Sequence, residues 1–390
     1  MRRRLALVLA LLLAPCAAGA ETPLDKAYDF LFQMMDLHAQ GGELRLAQSY
    51  VATPTFDGGD VSYTYDDAVM IAALLQRGTA ADKDRARILG DSLVYAQAHD
   101  KAGDGRLRDA YHSDPFLKPD GSPSVASNGS FTGNMAWAAL ALMQLFHATH
   151  EQAYRDAAGR LAGFIVANAL DLRGKGGFTG GLKANGDKLL WKSTEHNIDA
   201  YALFKMLGDK TDARRALRFV KAMWSRQGGF YFIGTGLDGV TINRDDPTPE
   251  DVQTWSFLST GLVAHQGSID WALANLSATS GGFQGLSFEE RDRTGVWFEG
   301  TAHAAAALAA RGLSDDLNAA ELLLADVETG QVSAPNADGS GIDAASKDGL
   351  KTDDAGDAYY AALHTGATAW YCIARQAGNP FKLKKRPPSP

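Results

Sequence analysis

The chain has 390 residues, with 38 Lys and Arg against 46 Asp and Glu, for a formal net charge of −8. An acidic balance argues against nucleic acid as a partner, because binding to a phosphate backbone draws on clustered cations. Two cysteines, Cys16 and Cys372, are too few for a multi-cysteine zinc site, and no cofactor or metal is expected.

Residues 1–20, MRRRLALVLALLLAPCAAGA, open with three arginines, continue through an apolar stretch and end in small residues. This order is that of a secretory signal peptide, cut after Ala20, and it predicts a periplasmic or secreted protein. Pro15 directly before Cys16 fits a lipoprotein processing site poorly. Cleavage removes Arg2, Arg3 and Arg4 and no acid, so the remainder is more acidic still. It also leaves Cys372 alone in an apolar run, where packing is the expected role. No later stretch is long and apolar enough to span a bilayer.

The helical patterns beyond residue 20 come in pairs. Residues 25–39 are amphipathic and 63–76 apolar; 82–98 are amphipathic and 132–148 apolar; 152–168 are amphipathic and 195–207 apolar. The alternation continues with 211–225, 251–265, 268–277, 297–311, 315–327 and 357–375. A helix that is apolar all round must be surrounded by protein, whereas an amphipathic one faces solvent on one side. The economical solution is all-α: six inner helices enclosed by six outer ones. Strand signals are confined to loops, where Gly176-Gly177-Phe178, Gly228-Gly229-Phe230 and Gly281-Gly282-Phe283 recur as a repeat architecture would have them. No linker interrupts the interior, so residues 21–380 read as one domain, followed by a disordered basic and proline-rich tail over 381–390.

Six helical hairpins with aromatic and acidic residues at the starts of the inner helices resemble the (α/α)6 toroid of the six-hairpin glycosidases. That superfamily holds glycoside hydrolases with related polysaccharide lyases and sugar epimerases. In such a toroid the inner helices run the same way and their first turns converge on one mouth. Here those turns carry Tyr63, Tyr65, Asp66 and Asp67; Asn134 and Trp137; Trp191, Glu195, His196, Asn197, Asp199 and Tyr201; Asp251, Gln253 and Trp255; Trp297, Glu299 and His303; and Tyr359, Tyr360 and His364. Rings stack on the apolar faces of sugars while carboxylates and amides meet the hydroxyls, so a carbohydrate substrate is expected. Trp137 and Trp255 lie on apolar faces as core residues do, and Trp255 is also a candidate contact. The loop 100–114 has acidic residues but not EF-hand spacing, and it offers Arg108 and Asp109, with Arg106 and Tyr111, as further contacts at the mouth.

Glycoside hydrolysis needs one protonated carboxyl and one ionised carboxylate. Glu195, in the most polar of the first turns, is the expected general acid, with Asp66 or Asp67 as base and Glu299 as the competing acid. Asp66 and Asp67 are equally the residue type that caps a helix. The superfamily resemblance implies inversion of stereochemistry. Two alternatives remain: a lyase or epimerase on the same toroid with His196 or Tyr201 as base, and a glycan-binding protein of a polysaccharide export system that cleaves nothing.

Overall fold

A computed structural model of the protein describes residues 21–352 and 357–384; the expected signal peptide, residues 1–20, lies outside the described residues. Twelve α-helices are present among those described: α1 (Pro23–Asp36), α2 (Thr64–Arg77), α3 (Ala80–Ala98), α4 (Thr132–Thr149), α5 (Gln152–Ala169), α6 (Thr194–Leu207), α7 (Lys210–Ala222), α8 (Glu250–Thr260), α9 (Gly267–Asn275), α10 (Phe298–Arg311), α11 (Asp316–Ser333) and α12 (Thr365–Arg375). The even-numbered helices form a closed inner ring, each packed on the next and α12 packed back on α2. The odd-numbered helices lie outside, and α1 closes the circle by packing on α12. The fold is the all-α toroid that the alternation predicts.

Several helix boundaries differ from the sequence pattern, three of them by five residues or more; α11, expected over 315–327, runs on to Ser333. The helix expected over 251–265 ends at Thr260, because Gly261 takes a left-handed conformation (φ +64°) that terminates it, and a 3-10 turn, Val263–His265, follows. The helix expected over 357–375 begins only at Thr365. Ahead of it Ala358–Tyr359 and Leu363–His364 are short strands, paired with Leu350–Lys351 and Ile342–Asp343.

A hydrogen-bond pattern repeated six times holds the ring. The backbone N–H of the first residue of each inner helix donates to a carbonyl in the loop that leads to the next inner helix. The pairs are Thr64 to Asp109, Thr132 to Gly180, Thr194 to Ile233, Glu250 to Phe288, Phe298 to Ala344 and Thr365 to Ser49, at 2.8 to 3.1 Å. These are helix N-terminal donors that lack intrahelical partners. The fourth residue of each inner helix accepts an N–H from the loop before it: Asp67 from Ala47, Met135 from Leu107, Asn197 from Phe178, Gln253 from Tyr231, Thr301 from Leu286 and Thr368 from Ile342. Each inner helix is thus tied to the loops on both sides of its mouth end, and the last bond returns to the loop before α2.

The other end of the ring is filled. Trp137, Trp255 and Trp370 pack together, with Trp137 and Trp255 at 5.1 Å between ring centroids and Trp255 and Trp370 at 5.8 Å. Phe381 inserts beside them, 4.9 Å from Trp137. Residues 381–384, which fall within the tail expected to be disordered, are thus packed on the toroid. Phe381 is buried, and Lys384 Nζ donates to the carbonyls of Leu75 and Gln76, which end an inner helix without intrahelical partners. Residues 385–390 lie outside the described residues.

Candidate active site

A cavity of about 740 Å³ opens where the inner helices begin. The second helical residue of each explains its wall. Tyr65, Glu195, Asp251 and Glu299 occupy that position in α2, α6, α8 and α10, and all four line the cavity. In α4 and α12 the same position is Gly133 and Gly366, which leave room for neighbours. A Cβ at Gly133 would come within 2.6 Å of the His196 ring, and one at Gly366 within 2.5 Å of the Asp66 carboxyl. Asp66, Asn134, Asp109, Tyr63, Trp255, Trp297, Tyr360 and His364 complete the predicted residues on this wall. Tyr359, also part of the first-turn pattern, lines it too. Tyr50, Phe56, Phe131, Phe288 and Asp357 line it without having been put forward from sequence, because they come from segments whose approach to the mouth has no periodic signature.

Glu299 is the most closely held carboxylate. Tyr65 Oη donates to its Oε1 (2.6 Å) and itself accepts from Trp370 Nε1 (2.8 Å). His303 Nε2 lies 3.6 Å from Oε1, and His364 Nδ1 lies 3.5 Å from Oε2. Burial alone would raise its pKa, but these two imidazoles and the Tyr65 hydroxyl hold it below the ordinary value. His303 is opposed by burial and supported by Glu250, at 3.1 Å, and by Glu299; the carboxylates prevail and raise it to about 9. His364 stacks on Tyr50 and bridges Asp66, at 3.2 Å, to Glu299, and its pKa is raised in spite of burial.

Glu195 has the opposite surroundings. Among the described residues no cation pairs with it; burial, and then the charge of nearby Asp251, push it up to about 8. Asp251 is raised to about 7 by burial and by Glu250. Asp199, one turn below Glu195 on α6, has both carboxyl oxygens buried with no hydrogen-bond partner and is raised well above the ordinary value by burial and by Glu195. Glu195 and Asp251 also wall a smaller lobe of about 330 Å³ that holds Trp191 and His196.

Several predicted contacts are corrected. Asp67 does not reach the cavity. As the fourth helical residue it turns about 100° beyond Asp66, where it accepts from Ala47 N–H (3.0 Å) and Ser62 Oγ (2.8 Å). Asn197 clamps the Gly-Gly-Phe loop, accepting from Phe178 N–H (2.8 Å) and donating to the Phe178 carbonyl (2.9 Å). Gln253 does the same for Tyr231 (2.9 and 3.0 Å). Asp199 and His303 are buried below the cavity wall, and Tyr201 faces the closed end beside Phe381. Arg108 is locked to Asp100 (2.5 Å) and Arg106 to Asp104 (2.6 Å), so neither offers a free cation to the mouth. Asp109 alone of that loop reaches it, held by Asn134 Nδ2.

No protein-family model matches the chain, and no curated protein matches it in sequence. Solved structures do resemble it. An alpha-amylase from Clostridium perfringens superposes with a TM-score of 0.64 at 11% identity, over 93% of this chain and 99% of that one. A cellobiose 2-epimerase from Spirochaeta thermophila gives 0.65 at 14% identity, over 90% and 93%. An alpha-1,6-mannanase of Salegentibacter, in complex with alpha-1,6-mannotriose, gives 0.56 at 13% identity, over 92% and 99%. At such identities the likeness speaks for architecture: the chain has the (α/α)6 toroid fold of the six-hairpin glycosidase-like proteins.

Proposed function

We propose that the protein is an exported glycoside hydrolase that inverts the anomeric centre, with Glu195 as general acid and Glu299 as the ionised carboxylate that activates water. The observation that carries this reading is the division of roles across one cavity: Glu195 has no ion-pair partner among the described residues and is held neutral, while Glu299 is held as an anion by Tyr65, His303 and His364. Two carboxyl groups pushed apart in pKa by their surroundings are what acid and base catalysis of glycoside cleavage requires. Asp66, paired with His364, supports the anionic side, and the aromatic wall of Tyr63, Trp255, Trp297 and Tyr360 suits sugar rings. The solved structures named above include enzymes whose names specify glycans, which agrees with a carbohydrate substrate. The order of residues 1–20 supports export.

The hydrolase test is product analysis. Incubation with α- and β-linked gluco- and manno-oligosaccharides should release new reducing ends, and proton NMR of the first product should show the inverted anomer. Glu195→Gln and Glu299→Gln should each abolish release; full turnover in either variant would overturn the assignment.

Epimerisation of a sugar is the second reading, supported by His364, an imidazole on the cavity wall between two carboxylates that is placed to relay a proton. Deuterium incorporated from solvent into a sugar carbon, with no new reducing ends, would select it. A lyase acting on uronates finds less support, because among the described residues no Arg or Lys lines the main cavity to neutralise the substrate carboxylate.

A further inference from the structure

The cavity and its smaller lobe share a wall made by Glu195, Asp251, Phe288 and Thr352. Glu299, Asp66 and Tyr65 line only the larger space, whereas Trp191, His196, Thr235 and Asn243 line only the smaller one. On the hydrolase reading, the acid therefore stands at the junction and the water-activating carboxylate stands on one side of it.

We propose that the smaller lobe is the leaving-group site: it takes the uncharged sugar ring expelled when Glu195 protonates the glycosidic oxygen. The sugar whose anomeric carbon is attacked then occupies the larger cavity beside Glu299. The step balances as hydrolysis. The Glu195 proton goes to the bridging oxygen as the bond from that oxygen to the anomeric carbon breaks. Water adds to the carbon and gives its proton to Glu299, and solvent returns both carboxyls to their starting states.

Three features of the lobe fit a single neutral ring. Its volume of about 330 Å³ is at the small end of ligand pockets, which run from roughly 300 to 1,000 Å³. The Trp191 indole is a stacking surface whose place depends on Gly180, where a Cβ would approach the ring to 2.6 Å. His196 Nδ1 and Thr235 Oγ1 are buried with no hydrogen-bond partner, and both residues line this lobe. Lys192 also borders it, but its ammonium is engaged by Arg173 O (2.9 Å), Gly176 O (3.0 Å) and Asp171 (3.3 Å), so among the described residues no free cation is there to hold an acidic sugar.

The inference rests on the hydrolase reading, and the test separates the two. The disaccharide cleaved best in a panel of α- and β-linked gluco- and manno-disaccharides is compared with the 2,4-dinitrophenyl glycoside of its non-reducing sugar, in the full-length protein and in Trp191→Ala. The ratio of kcat/KM for the disaccharide to that for the aryl glycoside should fall at least tenfold, because the aryl group leaves without a sugar in the lobe. Trp191→Phe, which keeps a stacking face and guards against misfolding, should keep that ratio within about threefold. An unchanged ratio in Trp191→Ala would overturn the lobe's role. A panel in which nothing is cleaved would overturn the hydrolase reading instead, and the lobe is then judged directly: glucose or mannose should shift the imidazole NMR signals of His196 in the full-length protein and not in Trp191→Ala, and the absence of any shift would overturn the site.

Discussion

Glu195 and Glu299 are the same residue at the same helical position, yet they have opposite environments, and this difference is open to titration. Activity on a glycan should follow a bell. It should fall as pH drops below the ordinary carboxylate range, where Glu299 takes up a proton, and fall again as pH rises through about 8, where Glu195 loses one. A kcat/KM profile measures both limbs. Stability follows the sign of each shift. Glu195 is raised above its ordinary 4.5, so its contribution is full below that value and is lost as pH rises through about 8; melting temperatures in low-salt buffers should record the decline. Tyr65→Phe removes the 2.6 Å bond to Glu299, which should move the acid limb upward and lower kcat/KM by about 10- to 100-fold, the scale of a hydrogen bond to a charged group. Sequence composition marked Glu195, Asp66 and Glu299 as residues of the mouth. It did not distinguish Asp66 from Asp67, because neighbours along a helix point about 100° apart and only the placement of the loop before α2 decides which one meets the cavity.

At the level of the element, the fourth position of each inner helix is a clamp for its incoming loop. Asn197 and Gln253 illustrate why a polar residue in an apolar helix need not be a substrate contact: each satisfies both the N–H and the C=O of one loop residue. Asn197→Leu would leave the Phe178 amide and carbonyl buried without partners, at a cost of about 1–3 kcal/mol for each stranded group. Urea unfolding should show that loss. Periodicity located the apolar helices closely, since burial on all sides leaves few polar residues to confuse it, whereas the late start of α12 was hidden because the strand residues Ala358–Tyr359 and Leu363–His364 are as apolar as the helix they precede. Tyr50, Phe56 and Phe288 were not singled out because a loop residue's path to the mouth depends on contacts distant in sequence.

Across the molecule, the ring closes twice. The Thr365 N–H bond to Ser49 ties the last inner helix to the loop before the first, and α12 packs on both α1 and α2. Phe381 seals the end opposite the mouth against Trp137 and Trp255. Phe381→Ala should therefore destabilise the whole toroid by about 3–5 kcal/mol, the usual cost of emptying a buried aromatic site, and thermal unfolding should remain a single transition. The amino-acid sequence by itself determined the count of helices, their alternation between inner and outer rings and the gathering of carboxyl groups at inner-helix starts, because each of these is a local pattern of polarity read at a period of 3.6 residues. Tertiary structure alone decided which carboxyls share the cavity and which of them are paired. Charge pairing and desolvation depend on groups brought together from helices more than two hundred residues apart, as Tyr65 and Glu299 are, and no local pattern encodes that meeting.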